Sequence, residues 1–116
     1  MKKGRVKTEE DVLRHLSNKT KFEKEVLIAT FKIPKGKIST YKRIAERIGR
    51  PRAYRAVGNA LHKNPLAPVV PCHRVVKSDG SFGGEKNGAE ARMRLLIEEG
   101  ILIRNDKVKI NHEMLF

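Results

Sequence analysis

The clearest reactive group in the chain is its single cysteine, Cys72, which is followed directly by His73. A thiolate is a strong nucleophile, and a nearby imidazole can accept the thiol proton and stabilise the anion. Adjacent side chains on a strand point to opposite faces, so this pair could couple directly only on a turn, or through a water molecule. Pro68 and Pro71 precede the pair and favour a conformation other than a strand. The alternative is a buried, inert cysteine, and the dipeptide alone favours that alternative.

A third candidate, Glu99, lies at the end of the last predicted helix. It falls on the same stripe as Leu95 and Leu96, which should face the interior, and the helix dipole disfavours a carboxylate there. A residue that is badly placed for both burial and dipole usually has a partner. His73 is the obvious candidate, because a carboxylate behind a histidine orients the ring and raises its basicity. The alternative is a solvated Glu98–Glu99 pair at a frayed helix end.

Composition narrows the class of protein. The chain has 116 residues, of which 39% are hydrophobic and 34% charged, which suits one compact domain. No apolar run approaches the length of a membrane span. A lone cysteine without a secretory signal excludes an internal disulfide and indicates a reducing cytoplasm. The histidines lack the spaced partners of a zinc site, so we expect no bound metal.

The distribution of charge gives the first sign of a partner. The net charge is +13, and the pI is near 10.2. Residues 32–63 carry ten basic side chains against Glu46 alone, which is +9 of the total. Such a concentrated basic segment is typical of proteins that bind a nucleic-acid backbone. The alternative is a solvated, lysine-rich surface of the thermophilic kind, and the absence of glutamine is consistent with it.

The elements that must position these groups follow from periodicity and capping signals. Residues 20–23 read as a capping box that starts a helix running to about Lys32, which Pro34 and Gly36 end. A shorter segment from about residue 9 to residue 16 is predicted as an extra helix or arm. A second helix is capped by Ser39 or Thr40 and turns inward Tyr41, Ile44, Ala45 and Ile48.

A third helix is predicted from about Arg52 to Lys63, after a turn at Gly49 and with Pro51 in its first turn. Two short helices joined by a tight turn form a helix-turn-helix. The third helix carries one polar face, formed by Arg52, Arg55, Asn59 and His62. Small residues interleave with that face and would let the backbone approach DNA. Gly58 costs about 1 kcal/mol of helix propensity relative to alanine, so close approach or tight packing must justify it.

The second half of the chain is predicted to hold the cysteine between small elements. Prolines keep residues 66–71 extended. Residues 75–82 read as a hairpin that turns at 78–80 and forms a wing beside the helix-turn-helix. A flexible loop at 83–88 leads to a last helix at 89–99, stopped by Gly100. A second small hairpin then turns at Asn105 and Asp106, within residues 101–110.

Several separate motifs together resemble one family. The segment Pro71-Cys72-His73-Arg74-Val75-Val76, preceded by residues 55–61 and by Asn64-Pro65, is similar to the active-site signature of the O6-alkylguanine-DNA alkyltransferases. Residues 33–37 and 39–41 also match, so the similarity runs in family order from about Thr20 to Gly100. The resemblance implies that residues 20–116 form a single winged helix-turn-helix domain of the α/β class, mainly α, with small hairpins. Residues 1–19 would form an N-terminal arm or short helix.

The resemblance also implies a role for particular residues. Cys72 would accept the alkyl group, with His73 as base through a bound water and Glu99 orienting His73. Asn64 would hold the turn that shapes the site, Arg55 would replace the flipped guanine in the duplex, and Tyr41 would help to rotate the nucleotide out. We expect further DNA contacts from Lys42, Arg50, Arg52, Asn59 and Ser78. We expect the substrate-pocket loop to be formed by Gly83, Gly84, Glu85 and Lys86.

The function implied is repair of double-stranded DNA, bound through its minor groove, by irreversible transfer of an alkyl group to Cys72 after base flipping. Such a methylated-DNA–protein-cysteine methyltransferase acts once, needs no cofactor, and would be a monomer in the cytoplasm, or in the nucleus of a eukaryote. Two departures from the family stand out: the acidic Glu85 replaces the usual aromatic residue of the loop, and only about 20 residues precede the match.

That short layout resembles the alkyltransferase-like proteins, which bind alkylated DNA without transfer and typically carry tryptophan at the position of Cys72. A lesion sensor of this kind is therefore the alternative function, and Cys72 favours transfer. A winged-helix transcription factor is a more distant alternative, because it has no use for the set of cysteine, histidine and glutamate.

Overall fold

The computed structural model describes residues 6–84 and 86–116. The elements in chain order are α1 (Glu9–His15), α2 (Lys21–Phe31), β1 (Ser39–Thr40), α3 (Tyr41–Arg47), α4 (Tyr54–His62), β2 (Val75–Val76), α5 (Lys86–Glu98), β3 (Ile103–Arg104) and β4 (Lys107–Val108). Short 3-10 turns lie at Cys72–Arg74 and His112–Met114. The predicted fold class, a mainly helical winged helix-turn-helix with small sheets, is confirmed.

The helices begin where local hydrogen bonds can start them. The Thr20 hydroxyl accepts from the Glu23 amide at 3.1 Å, and the Glu23 carboxylate accepts from the Thr20 amide at 3.0 Å, which confirms the predicted capping box. Thr40, not Ser39, caps α3 by accepting from the Arg43 amide at 3.1 Å. These bonds satisfy amides that the first helical turn leaves without partners.

Two hydrophobic clusters form the core. The larger one joins α1, α2, α3 and α4 to the segment that precedes Cys72, and its fully buried members include Val12, Leu16, Val26, Leu27, Ile44, Val57 and Val70. The smaller one lies between β2, α5 and the β3–β4 hairpin, and contains Ile38, Val76, Leu96, Ile101 and Val108. Helix α1 is thus packed into the same core as α2, while the division of the chain at residue 20 stays a prediction.

The helix-turn-helix is formed by α3 and α4, but α4 begins two residues later than predicted. The Ala53 amide donates to the Arg50 carbonyl at 2.9 Å, so residues 50–53 form a turn with Pro51 at its second position. The fixed φ of proline suits that position. The prediction that Pro51 lies in the first turn of the helix is therefore wrong. Gly49, with φ +77°, ends α3 as expected.

The segment before the cysteine is turned and not extended, contrary to the prediction. The Asn64 side chain accepts from the Leu66 amide at 2.9 Å and donates to the Val70 carbonyl at 2.8 Å. The Val70 amide in turn donates to the Leu66 carbonyl at 3.0 Å. Prolines restrict φ without enforcing an extended chain, and the Asn64 amide closes this segment on itself.

The wing also differs from the predicted hairpin. The turn at 77–81 forms, since the Gly80 amide donates to the Lys77 carbonyl at 2.8 Å. However, β2 pairs in parallel with β1, with Val75 opposite Ser39, and Ser81 bridges to Lys107 of β4. Both valines of β2 are buried, and this strand pairs with β1 in the interior. The exposed part of the wing is formed by the turn at 77–81 together with the β3–β4 hairpin.

Helix α5 begins at Lys86, so residues 86–88, predicted as loop, are helical. Arg92 donates to the carbonyls of Gly83 and Gly88, which fastens the glycine-rich segment to the helix. Gly100 has φ +87° and ends α5 as predicted: the Ile101 amide donates to the Leu96 carbonyl at 3.0 Å, closing a Schellman motif. None of the helices in the described ranges has the length and apolar character needed to cross a bilayer.

The chain beyond α5 first forms the predicted hairpin and then returns to α3. Asn105 and Asp106 both have positive φ, as a tight turn between β3 and β4 requires. The Phe116 amide donates to the Ile38 carbonyl at 2.8 Å, and the Arg43 side chain donates to the Phe116 carbonyl at 3.1 Å. The Arg47 guanidinium lies 4.2 Å from the centroid of the Phe116 ring. This C-terminal segment, residues 111–116, therefore braces the first helix of the helix-turn-helix.

The packing around Gly58 leads to a stability prediction. A Cβ at Gly58 would lie 3.7 Å from the Tyr41 ring, which is ordinary van der Waals contact. We therefore expect Gly58→Ala to raise the free energy of unfolding by about 0.5–1 kcal/mol in chemical denaturation, because alanine has the better helix propensity. Gly80→Ala is the matched control and should destabilise, since its φ is +88° and a Cβ would overlap the Val108 carbonyl. A destabilised Gly58→Ala would mean that packing requires this glycine.

Candidate active site

Cys72 opens onto a large groove of the described surface. It is the first residue of the 3-10 turn, it is half-buried, and its amide donates to the Val70 carbonyl at 2.8 Å. The groove has a volume of about 1240 Å³ and runs from α3 and α4 to the start of α5. Its lining includes Tyr41, Lys42, Tyr54, Arg55, Gly58, Asn59, His62, Asn64, Cys72, Lys77, Ser78, Gly83, Gly84 and Arg92.

His73 lies behind the cysteine and contacts Glu99. The His73 side chain is 4% exposed, and its Nε2 lies 2.8 Å from Glu99 Oε2. The inference that Glu99 has a histidine partner is thus met by the geometry. No hydrogen bond joins Cys72 to His73 among the described residues. The turn therefore directs the thiol toward the groove while the imidazole is held in the interior.

Arg74 is a second partner of Glu99, which sequence reasoning missed. Its Nε and Nη2 donate to the two Glu99 oxygens at 2.8 and 2.9 Å, and its Nη1 donates to the Ile33 carbonyl at 2.8 Å. Burial would raise the pKa of Glu99, but the hydrogen bonds and charges of Arg74 and His73 hold it below its ordinary value. The available signal was an arginine next to His73 in a chain whose buried glutamate needed partners.

The groove-facing part of the site is organised by Tyr41 and by Arg92. The Tyr41 ring packs beside Gly58, and a Cβ on Gly83 would lie 3.7 Å from the Tyr41 hydroxyl. Arg92 binds the Gly83 carbonyl and lies 5.8 Å from the centroid of the Phe82 ring. Sequence reasoning missed Arg92, because a bond to a backbone carbonyl leaves no mark on the residue types that flank it.

The predicted DNA-contacting residues divide into two groups. Lys42, Arg55, Asn59 and Ser78 line the groove, together with Tyr41. Arg50 and Arg52 do not: Arg50 lies 5.7 Å from the centroid of the Phe22 ring, and Arg52 is exposed in the turn before α4. Charge located the basic segment of the sequence, but it could not say which way each side chain points.

The loop residues divide in the same way. Gly83 and Gly84 line the groove, whereas Lys86 starts α5 and does not. Glu85 lies outside the described residues. The cations Lys42, Arg55, Lys77 and Arg92 face the groove, and no carboxylate lines it in the described part of the chain. A surface of this sign and shape attracts a polyanion.

No group of histidine, cysteine, aspartate and glutamate within residues 6–84 and 86–116 is arranged to hold a metal ion. The groups that the site offers are a thiol and, at the next residue, a buried imidazole hydrogen-bonded to a carboxylate. Such a set can remove the thiol proton and present a thiolate to an electrophile in the groove.

Comparison with known sequences gives the family. The model of the 6-O-methylguanine DNA methyltransferase, DNA binding domain, matches residues 21–101. The methylated-DNA–protein-cysteine methyltransferase of Methanosarcina barkeri is 50% identical over 84 residues, which are 72% of this chain and 53% of that protein. The chain thus spans about half the length of the curated relatives that it matches.

Solved structures give the same result. Mycobacterium tuberculosis OGT in complex with DNA is 42% identical with a TM-score of 0.66, over 69% of this chain and 50% of that one. S. pombe Atl1, in complex with damaged DNA containing O6-carboxymethylguanine, is 34% identical with a TM-score of 0.73, over 82% of this chain and 94% of that one. Since the family model covers more than half of the residues, the chain belongs to the 6-O-methylguanine DNA methyltransferase family, through its DNA-binding domain.

Proposed function

We propose that this protein binds double-stranded DNA containing O6-alkylguanine and transfers the alkyl group to Cys72. The observation that carries the proposal is the position of the thiol: the chain's single cysteine opens onto a groove lined by cations, and the next residue, His73, is buried and hydrogen-bonded to Glu99. The reaction class is nucleophilic displacement at the alkyl carbon. Because the thioether product is stable, each molecule acts once and needs no cofactor.

The displacement needs a thiolate, and the site offers a route for its proton. His73 Nε2 donates to Glu99, which leaves the lone pair of the ring on Nδ1. A water molecule would carry the thiol proton to Nδ1. Cys72 Sγ then attacks the alkyl carbon, the bond from that carbon to O6 breaks, and the electron pair stays with the guanine. A proton delivered to the guanine leaving group balances the proton that the thiol lost.

The lesion must leave the duplex before it can meet the thiol. Flipping a base costs a few kcal/mol, and the protein has to offset that cost. Arg55 lies on the exposed side of α4 at the rim of the groove, and Tyr41 lies between α4 and the loop at Gly83. We propose that Arg55 fills the gap in the duplex while Tyr41 guides the nucleotide toward Cys72. Helix α4 would enter the minor groove, where its small residues permit close approach.

The surroundings of the groove support this choice of partner. A lining that carries four cations and no described carboxylate favours a phosphate backbone. Asn64 keeps the turn before Cys72 closed, which fixes the wall against which a flipped base would lie. We propose that the protein acts as a monomer, in the cytoplasm or a eukaryotic nucleus, where a thiol stays reduced.

A lesion sensor that binds without transfer is the second candidate function. One observation favours it: S. pombe Atl1 superposes on 82% of this chain with a TM-score of 0.73, against 69% and 0.66 for M. tuberculosis OGT. Cys72 argues for transfer, because the alkyltransferase-like proteins that the sequence resembles typically carry tryptophan there. A sensor would use the same groove and would leave the thiol unmodified.

Transfer is tested directly by mass. We expect one equivalent of duplex containing O6-methylguanine to add a single methyl group to the intact protein, mapped to Cys72 by peptide sequencing. Cys72→Ser should bind the same duplex with no gain in mass. Unchanged mass of the wild type at complete binding would leave the sensor as the function.

Glu99 should affect both the reaction rate and the pH dependence of stability. Glu99→Gln should slow transfer by on the order of 10²-fold, because His73 loses the carboxylate that orients it. The pKa of Glu99 in the folded protein is lower than its ordinary value of 4.5. The ionised carboxylate therefore stabilises the fold at pH values above 4.5. That stabilisation is lost as pH falls through the folded pKa. The difference in unfolding free energy between wild type and variant should thus shrink in acid. Exposed Glu98→Gln is the control, and equal effects of the two substitutions would remove Glu99 from the site.

Arg55 should act on base extrusion rather than on general attraction to DNA. We expect Arg55→Ala to slow single-turnover transfer from duplex at saturating protein, with a smaller defect on single-stranded substrate, where extrusion costs less. Arg52→Ala removes an exposed arginine outside the groove lining and should leave both rates unchanged. Equal slowing of Arg55→Ala on the two substrates would assign Arg55 to phosphate binding.

A further inference from the structure

The β3–β4 hairpin is built onto the wing turn as one surface. The Val108 amide donates to the Gly80 carbonyl at 2.8 Å, and Ser81 bridges to Lys107. Gly80 leaves no room for a side chain against Val108, so turn and hairpin pack without a gap. All of this hairpin, residues 103–108, lies outside residues 21–101, the part of the chain that the family model matches.

The outer face of the hairpin carries cations that repel one another. Arg104 lies directly opposite Lys107 in the pairing register, and Lys109 follows just beyond the end of β4. All three are exposed, and their inward neighbour Val108 is buried. Like charges directly opposite each other on neighbouring strands destabilise a sheet. The arrangement becomes favourable when an anion lies across the pair.

Among the described residues, Asp79 is the carboxylate that forms an ion pair with these cations, whereas the exposed Asp106 in the β3–β4 turn pairs with none of them. Asp79 accepts from the amide and the hydroxyl of Ser81 at 2.9 and 2.6 Å, and Lys107 Nζ lies 3.5 Å from it. Those hydrogen bonds, with the charge of Lys107, lower the pKa of Asp79 to about 2, so it is ionised at neutral pH. Arg104 and Lys109 have no ion-pair partner among the described residues. They remain available to an external anion.

The cations also border a cleft that continues from the main groove. Arg104, Lys107 and Lys109 line a cleft of about 440 Å³ together with Ser78 and Asp79. Ser78 lines the main groove as well. A strand of DNA that follows the main groove past Ser78 would therefore reach Arg104 and Lys109 next.

We propose that the β3–β4 hairpin is a second phosphate-binding surface, on which Arg104 and Lys109 contact the DNA backbone beyond the wing turn. The inference rests on the proposed function, because the main groove must hold the duplex. Continuity at Ser78 favours DNA over an acidic protein, which would have no reason to begin at the groove. The hairpin would extend the contacted backbone and increase the number of counterions released on binding.

The test compares two double variants of the full chain that lose the same charge. Arg104→Gln with Lys109→Gln removes the proposed contacts. Arg14→Gln with Lys21→Gln removes one arginine and one lysine from the exposed surface of α1 and α2, outside the groove and outside the basic segment 32–63. Binding to an undamaged duplex of about 20 base pairs is followed by fluorescence anisotropy over a series of salt concentrations. That duplex exceeds the roughly 11 base pairs that span the 38 Å length of the molecule.

We expect the hairpin variant to make the slope of log affinity against log salt shallower by about 0.9 per lost contact. At about 0.1 M salt each contact should weaken binding on the order of tenfold. The control should keep the wild-type slope. The hairpin variant should melt no lower than wild type, because it loses a repulsive pair, so weaker binding could not be ascribed to unfolding.

Lysine acetylation provides a second readout. DNA should protect Lys109 of the wild type from acetylation and leave Lys21 reactive. Wild-type binding with equal slopes for the two double variants, or an unprotected Lys109, would overturn the inference and leave the cations to a partner other than DNA. Absence of DNA binding by the wild type would instead overturn the proposed function.

Discussion

The structure depends on one shared carboxylate. Glu99 accepts two hydrogen bonds from Arg74 and one from His73, while Arg74 also binds the Ile33 carbonyl. The group therefore ties together the end of α2, the cysteine turn and the end of α5. Burial alone would raise the pKa of Glu99, but the hydrogen bonds from Arg74 and His73 lower it, so the carboxylate stays ionised while it accepts from the His73 ring. Loss of Arg74 would leave this partly buried charge with one partner fewer, which destabilises the fold.

Local signals predicted the elements of this fold better than their partners. Three predicted features depend only on residues close together in the sequence, and all three are present. They are the capping box at Thr20, the end of α5 at Gly100 and the hairpin turn at Asn105. The pairing of Val75 with Ser39 depends on burial from both sides, which the short valine pair does not specify. The prediction of an extended segment before Cys72 was wrong for another reason. The side-chain amide of Asn64 makes two hydrogen bonds to the backbone of this segment and holds it in a turn.

One part of the candidate site was predicted because a residue type did not suit its position in the helix. Glu99 was wrong for burial and for the helix dipole, so a partner could be inferred. Arg74 and Arg92 were missed because an arginine is not unusual at either place in the sequence. The structure shows what they bind: Arg74 pairs with Glu99, and Arg92 donates to the Gly83 carbonyl. For the same reason the basic composition of residues 32–63 could not separate Arg55, in the groove, from Arg50, against Phe22.

The bracing of α3 by residues 111–116 affects how the molecule opens. Its hydrogen bonds join Phe116 to Ile38 and Arg43, which lie more than 70 residues earlier in the sequence. Native proteins open locally in cooperative units, and the contacts within one unit break together. Helix α3 and the last residues should thus exchange their amide protons as one unit. The rigidity of a helix that faces the groove is then set by a segment distant from it in sequence.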